Sequence, residues 1–156
     1  MKSGIIHHPF TMSQGNFPRL IVSPVEVLNP ENTIPGSINS LSSVAQWDTG
    51  ADYCLISSEL ARNLRLERKG LASINSVEGK DDKRQTYLVN LVLPNGVFFD
   101  EVLAIEDDGL KSYGVDFLIG MAVINNIDFA LTHDKDGNSI LSISYPADRL
   151  VDFEKI

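Results

Sequence analysis

The carboxylate best placed for chemistry is Asp48, which follows the short apolar run Val44-Ala45-Gln46-Trp47 and precedes the small turn Thr49-Gly50-Ala51. A strand that ends in an acid delivers a poorly solvated carboxylate to the rim of a core, where it can serve as a general acid or base. An acid in that place also commonly does no more than cap its turn. The other reactive side chains form weaker patterns. His7, His8 and His133 give neither a Cys/His cluster nor paired ligands along one helix face, so no metal site, structural or catalytic, is expected. Cys54 stands alone among Tyr53, Leu55 and Ile56 with no histidine beside it, the setting of a buried thiol rather than a nucleophile.

The elements that must position Asp48 are mostly strands. Met1 to Arg19 shows no sustained period and reads as an extended or disordered arm, leaving 20–156 as the folded domain. Leu20 to Leu28 is rich in Val and Ile, with Pro24 marking an edge strand or two short ones. Asn29 to Ser43 reads as a loop through Pro30, Pro35 and Gly36. Beyond the Asp48 turn, Tyr53 to Ile56 is a second apolar run. Ser57 or Ser58 then caps a helix to about Leu66, with Ile56, Leu60 and Leu64 on one face.

Ile74 to Val77 and Thr86 to Leu93 flank a polar insert, Glu78 to Gln85, that suggests a hairpin with a mobile tip at Gly79. Pro94-Asn95-Gly96 predicts a tight type I′ hairpin into Val97–Ile105. Phe117 to Ile119 closes at Gly120 and leads into a brief helix, Met121 to Asn126. Asp128 to Thr132 and Ile140 to Tyr145 form a last pair around an Asp-Gly turn. Seven or eight short strands with one or two small helices indicate an all-β, barrel-like domain without internal repeats.

Composition narrows the function. With 156 residues, 43% apolar and 22% charged, the chain has the make-up of one globular domain. A net charge of −8 opposes attraction to nucleic acid and to anionic lipid surfaces, which begins with cations neutralising phosphate. No run approaches the roughly 20 apolar residues that cross a bilayer. The lone cysteine excludes an intramolecular disulfide, and the first residues lack the apolar stretch of a secretory signal, so a reducing, cytoplasmic setting is expected.

The order of these motifs resembles the retropepsin family of aspartic proteases, in particular its prokaryotic members. Ala45-Gln46-Trp47-Asp48-Thr49-Gly50-Ala51-Asp52-Tyr53-Cys54-Leu55-Ile56 is similar to the family's strand, Asp-Thr-Gly-Ala turn and second strand. Phe117-Leu118-Ile119-Gly120-Met121 resembles the segment before its late helix, and the hairpin between them falls where the family has a flap. Tyr87 to Asn95 and Asn126 to Thr132 extend the likeness, which spans roughly Leu20 to Tyr145.

The resemblance implies a retropepsin-like closed barrel, the acid-protease fold, acting without cofactor or metal on a peptide or protein substrate. It makes Asp48 the catalytic residue and assigns Thr49 to a hydroxyl network joining two turns. Gly50 would make a backbone contact with substrate, Ala51 would support the turn, Asp52 would stand at the cleft wall, and Gly79 would sit in the flap. Two features depart from the family. Its polar residue after the late glycine is replaced by Ala122, which would loosen the dimer or the site, and the flap tip here is charged rather than glycine-rich.

Amide hydrolysis needs a base to deprotonate water and an acid to protonate the carbonyl oxygen or the leaving nitrogen. Aspartic proteases meet both needs with two carboxylates sharing one proton, since like charges about 3 Å apart cannot both ionise. One Asp-Thr-Gly per chain then demands two chains about a twofold axis, hence a homodimer. Two other readings compete: a noncatalytic peptide-binding or dimerisation module on the same fold, and a monomeric structural β domain.

Overall fold

The computed structural model of the chain describes residues 4–31, 39–75 and 81–155. Ten strands, two short α-helices and one 3-10 helix lie among them. The hairpin tip at Gly79 falls outside the described residues. In chain order the elements are β1 (His8–Asn16), β2 (Ile21–Leu28), β3 (Ser40–Trp47), β4 (Cys54–Ile56), α1 (Ser58–Asn63), β5 (Gly70–Asn75), β6 (Asp81–Val92) and β7 (Phe98–Glu106). The 3-10 helix Asp108–Tyr113, β8 (Phe117–Ile119), α2 (Met121–Ile124), β9 (Asp128–His133) and β10 (Asn138–Tyr145) complete them.

Six strands close on themselves in the order β2-β3-β8-β4-β7-β6, because β2 also pairs with β6 through Glu26–Leu28. Closure removes the exposed strand edges that an open sheet would present. This is the all-β closed barrel with short helices expected from the sequence. Its interior takes Val25 and Val27 from β2, Ala45 and Trp47 from β3, Val89 and Leu91 from β6, and Phe117 and Ile119 from β8. Burying each of the larger side chains contributes roughly 1.5–3 kcal/mol.

Pro24 does not split β2, which runs unbroken against β3 with Pro24 opposite Val44. Val22, two residues earlier and therefore facing the same way, turns its N–H and C=O outward to the Gln14 carboxamide, at 2.8 and 2.9 Å. The donor that proline lacks would have pointed to that same open edge, so no ladder bond is lost. Gln14 thereby docks β1 against the barrel much as a neighbouring strand would.

The second sheet has the order β1-β10-β9, antiparallel throughout. Residues 8–16 of the arm thus run extended along β10. Leu141 and Ile143 of this sheet are buried in the barrel's core, and Phe129 packs on Trp47 with ring centroids 5.6 Å apart.

Several boundaries differ from the sequence reading. The segment read as a loop to Ser43 gives up its last residues to β3, which starts at Ser40. The first strand of the hairpin after α1 begins at Gly70 rather than Ile74, and β6 starts at Asp81, inside the stretch read as a polar insert. At Pro94-Asn95-Gly96 only Gly96 takes a positive φ, +80°, and its N–H bonds to Leu93 O at 2.8 Å. That is a type I turn closed by a left-handed glycine, not type I′, because proline at the first central position holds φ negative.

Candidate active site

β3 carries Asp48 to its end, and the turn that follows is clamped from beneath. β8 lies between β3 and β4, parallel to β3 (Trp47 opposite Ile119) and antiparallel to β4 (Leu55 opposite Leu118). The Asp48 N–H donates to Ile119 O at 3.0 Å, extending the β3–β8 ladder to the acid itself. Its Oδ1 accepts the Gly50 N–H at 2.8 Å, an Asx turn that aims the carboxylate across its own loop. Ala51 N–H closes the turn on Asp48 O at 3.3 Å.

The far side of the turn is held by the start of α2. Met121 N–H donates to Ala51 O at 2.7 Å and Ala122 N–H to Asp52 O at 2.9 Å. Such close backbone approach requires glycine at position 120: a Cβ there would stand 2.7 Å from Ala51 O and closer still to Tyr53 O. Gly50 is constrained more mildly, its missing Cβ falling 3.1 Å from Asp48 Oδ1. Ala122 is exposed, and its N–H already satisfies the Asp52 carbonyl, so the missing polar side chain leaves no gap in this clamp.

The structure brings Asp48, Thr49, Gly50, Ala51 and Asp52 together on one turn. Asp48 is half-buried, while Thr49, Gly50 and Asp52 are exposed. Beside the turn lies a cleft of about 530 Å³, lined by Ala51 and Asp52 of the turn, Leu55 of β4, Ile74 of β5, and Leu103 and Ile105 of β7. The sequence reading did not single out those last four apolar residues. The signal was present in β7: Val102-Leu103-Ala104-Ile105 is apolar at every position, and Leu103 remains 37% exposed, so one of its faces is left free for something other than the core.

Cys54 is fully buried in the barrel, and burial pushes its thiol up to about 11 against a smaller opposing hydrogen bond from the Gly120 backbone. It therefore stays protonated and unreactive near neutral pH. Among the described residues no group of three His, Cys, Asp or Glu side chains could hold a metal ion.

The family model described as "gag-polyprotein putative aspartyl protease" matches residues 34–126. That span is more than half of the chain, and the chain belongs to this retropepsin-like aspartic protease family. Among solved structures, a retropepsin-like aspartic protease from Rickettsia conorii superposes with a TM-score of 0.59 at 16% identity, over 95% of this chain and 99% of that one. The retroviral protease-like domain of Ddi1 from Leishmania major gives a TM-score of 0.43 at 13% identity, over 78% of this chain and 93% of that one. The Rickettsia match establishes the shared fold. No curated protein matches the chain. No described helix is long and apolar enough to cross a membrane.

Proposed function

We propose that the chain is an aspartic endopeptidase in which Asp48 and the Asp48 of a second copy form the catalytic dyad. The observation that carries this reading is the clamped turn: an acid held half-buried by β8 and α2, with Thr49 and Gly50 facing outward beside an apolar cleft. An outward-facing Thr-Gly edge suits a twofold contact in which two such turns meet and share one proton. One carboxylate then removes a proton from water as the oxygen attacks the peptide carbonyl, while the protonated partner donates to the carbonyl oxygen. Collapse of the resulting diol with protonation of nitrogen releases the amine, with no covalent enzyme intermediate.

An extended peptide would lie in the cleft with apolar side chains against Leu55, Leu103 and Ile105 and with its backbone near Gly50 and Asp52. The β5–β6 hairpin, Gly79 included, would close over it and exclude water. The setting we infer is reducing and cytoplasmic, in keeping with a single buried thiol.

Asp48→Asn preserves shape and Asx-turn acceptor but removes the ionisable group. It should abolish cleavage of a peptide library at mildly acidic pH while leaving the melting temperature near that of the parent. Turnover at the parent's rate would refute the assignment. If instead the parent cleaves nothing yet binds extended peptides as a dimer, the noncatalytic module is the correct reading.

A further inference from the structure

A chain of net charge −8 holds few cations, and several of the described ones pair with acids. Lys69 pairs with Glu67, Arg84 with Asp82 and Asp107, Lys111 with Glu59, and Lys155 with Asp152. Arg62, Arg65 and Arg68 form no ion pair among the described residues. All three nevertheless line a single cavity of about 390 Å³, together with Ser58, Tyr87 and Glu106.

The backbone adds an independent sign. α1 ends in a double-bonded C-terminal turn: Arg65 N–H donates to Arg62 O and Leu66 N–H to Ala61 O, each at 3.0 Å. The residue just past the cap in this motif takes a left-handed conformation and is usually glycine, since a side chain there costs about 1 kcal/mol. Here it is Arg65, at φ +54°. Asn29 Nδ2 holds the turn by donating to Leu64 O at 3.1 Å and Arg65 O at 3.2 Å. Phe17 and Glu101 also take left-handed backbone among the described residues, and of the three it is Arg65 that lines this cavity beside two further arginines.

The one carboxylate in the cavity is already engaged. Tyr87 hydroxyl donates to Glu106 Oε2 at 2.7 Å, and Arg68 approaches the same hydroxyl. Glu59 and Asp108 lie within electrostatic reach of Arg62 without forming an ion pair with it, so the guanidinium groups of Arg62, Arg65 and Arg68 keep hydrogen-bond donors for a further anion.

We propose that this cavity binds a small phosphate-bearing dianion, with Arg62, Arg65 and Arg68 as its ligands. Planar guanidinium forks match phosphate oxygens two at a time, and a tetrahedral dianion offers enough oxygens for three of them, whereas a single carboxylate fills one fork. The protein's overall charge selects against an extended polyanion. The site is separate from the cleft beside Asp48 and stands whether or not the chain cleaves peptides.

Calorimetric titration of the full chain with inorganic phosphate and with pyrophosphate, at fixed ionic strength, tests the proposal. One saturable site is expected, with binding weakened about tenfold or more in Arg65→Gly and in the double variant Arg62→Gln/Arg68→Gln. Without phosphate, Arg65→Gly should melt about 2 °C or more above the parent, because glycine relieves the turn. The absence of saturable binding in the parent would overturn the proposal, as would parent-like affinity in both variants. A lowered melting temperature in Arg65→Gly would also overturn it, since strain at that arginine is a premise.

Discussion

Gly120 and Arg65 answer the same question in opposite ways. Each sits where the backbone favours glycine, the first because two carbonyl oxygens crowd its missing Cβ, the second because φ is +54°. At position 120 the sequence complies, and the outcome is a scaffold: the turn bearing Asp48 is fastened to α2 through Ala51 O and Asp52 O. At position 65 the sequence does not comply, and an arginine lines the cavity it shares with Arg62 and Arg68. A glycine that geometry demands reports how a site is supported. A charged residue where glycine would serve better, grouped with like charges about one cavity as Arg65 is, points to what a site is for.

The largest effect expected from testing that contrast is at Gly120. In Gly120→Ala the new methyl would overlap backbone oxygens that have no freedom to swing aside, so α2 must part from the turn. Destabilisation of about 3 kcal/mol or more is expected from overpacking combined with lost backbone bonds, read as a shift in the urea midpoint. A variant as stable as the parent would show that the clamp is soft and that Asp48 is positioned by something else. Gly50→Ala should act more selectively. Its methyl meets only the Asp48 carboxylate, at 3.1 Å, which can rotate by a few tenths of an ångström. Stability should fall by about 1 kcal/mol or less, while kcat/KM of the proposed peptidase falls about 10- to 100-fold as the acid is misaimed. Equal losses in stability and activity would mean that the turn merely unfolds.

The parts of the molecule legible in its sequence were those under strong local constraint. Asp48-Thr49-Gly50 and Ile119-Gly120 stood out in the sequence because a turn whose backbone is bonded to a crossing strand and a helix start tolerates few residue types. The apolar strands on either side follow from the alternation that a core imposes. The strands of the β5–β6 hairpin were misplaced for the opposite reason. Gly70 to Ile74 and Asp82 to Arg84 are exposed or at most half-buried, so the period that a core would impose is weak there. Ser40 to Ser43 looked like loop because its pairing with β2, not its own side chains, makes it a strand. The 3-10 helix at Asp108 went unread although Asp107 caps it, its Oδ1 accepting the Gly109 N–H at 2.8 Å. The arginine corner could not be assembled from sequence alone, since Tyr87 and Glu106 reach it from two other strands.

A third turn supplies the baseline for the comparison, one where glycine sits as geometry asks and the nearby acid serves only structure. In the β9–β10 hairpin Gly137 takes φ +81°, and Asp134 accepts the Asp136 and Asn138 N–H groups and the Asn138 side-chain amide, each at 2.9 Å. The Asn138 side chain, then its backbone N–H, hold the Asp134 carboxyl below its ordinary value of 3.8. A depressed folded-state pKa stabilises the protein above the unfolded value and ceases to do so as pH falls through the folded one. Asp134→Ala should therefore melt slightly below the parent near neutral pH, with the gap closing under more acidic conditions than an ordinary aspartate would require. Because the group is fully exposed the gap is expected to be small, and its salt dependence should be slight, since neutral N–H donors rather than a cation hold the charge. A gap that widened on acidification would assign Asp134 a protonated, donating role, and the hairpin could no longer serve as the turn without chemistry against which Asp48 is judged.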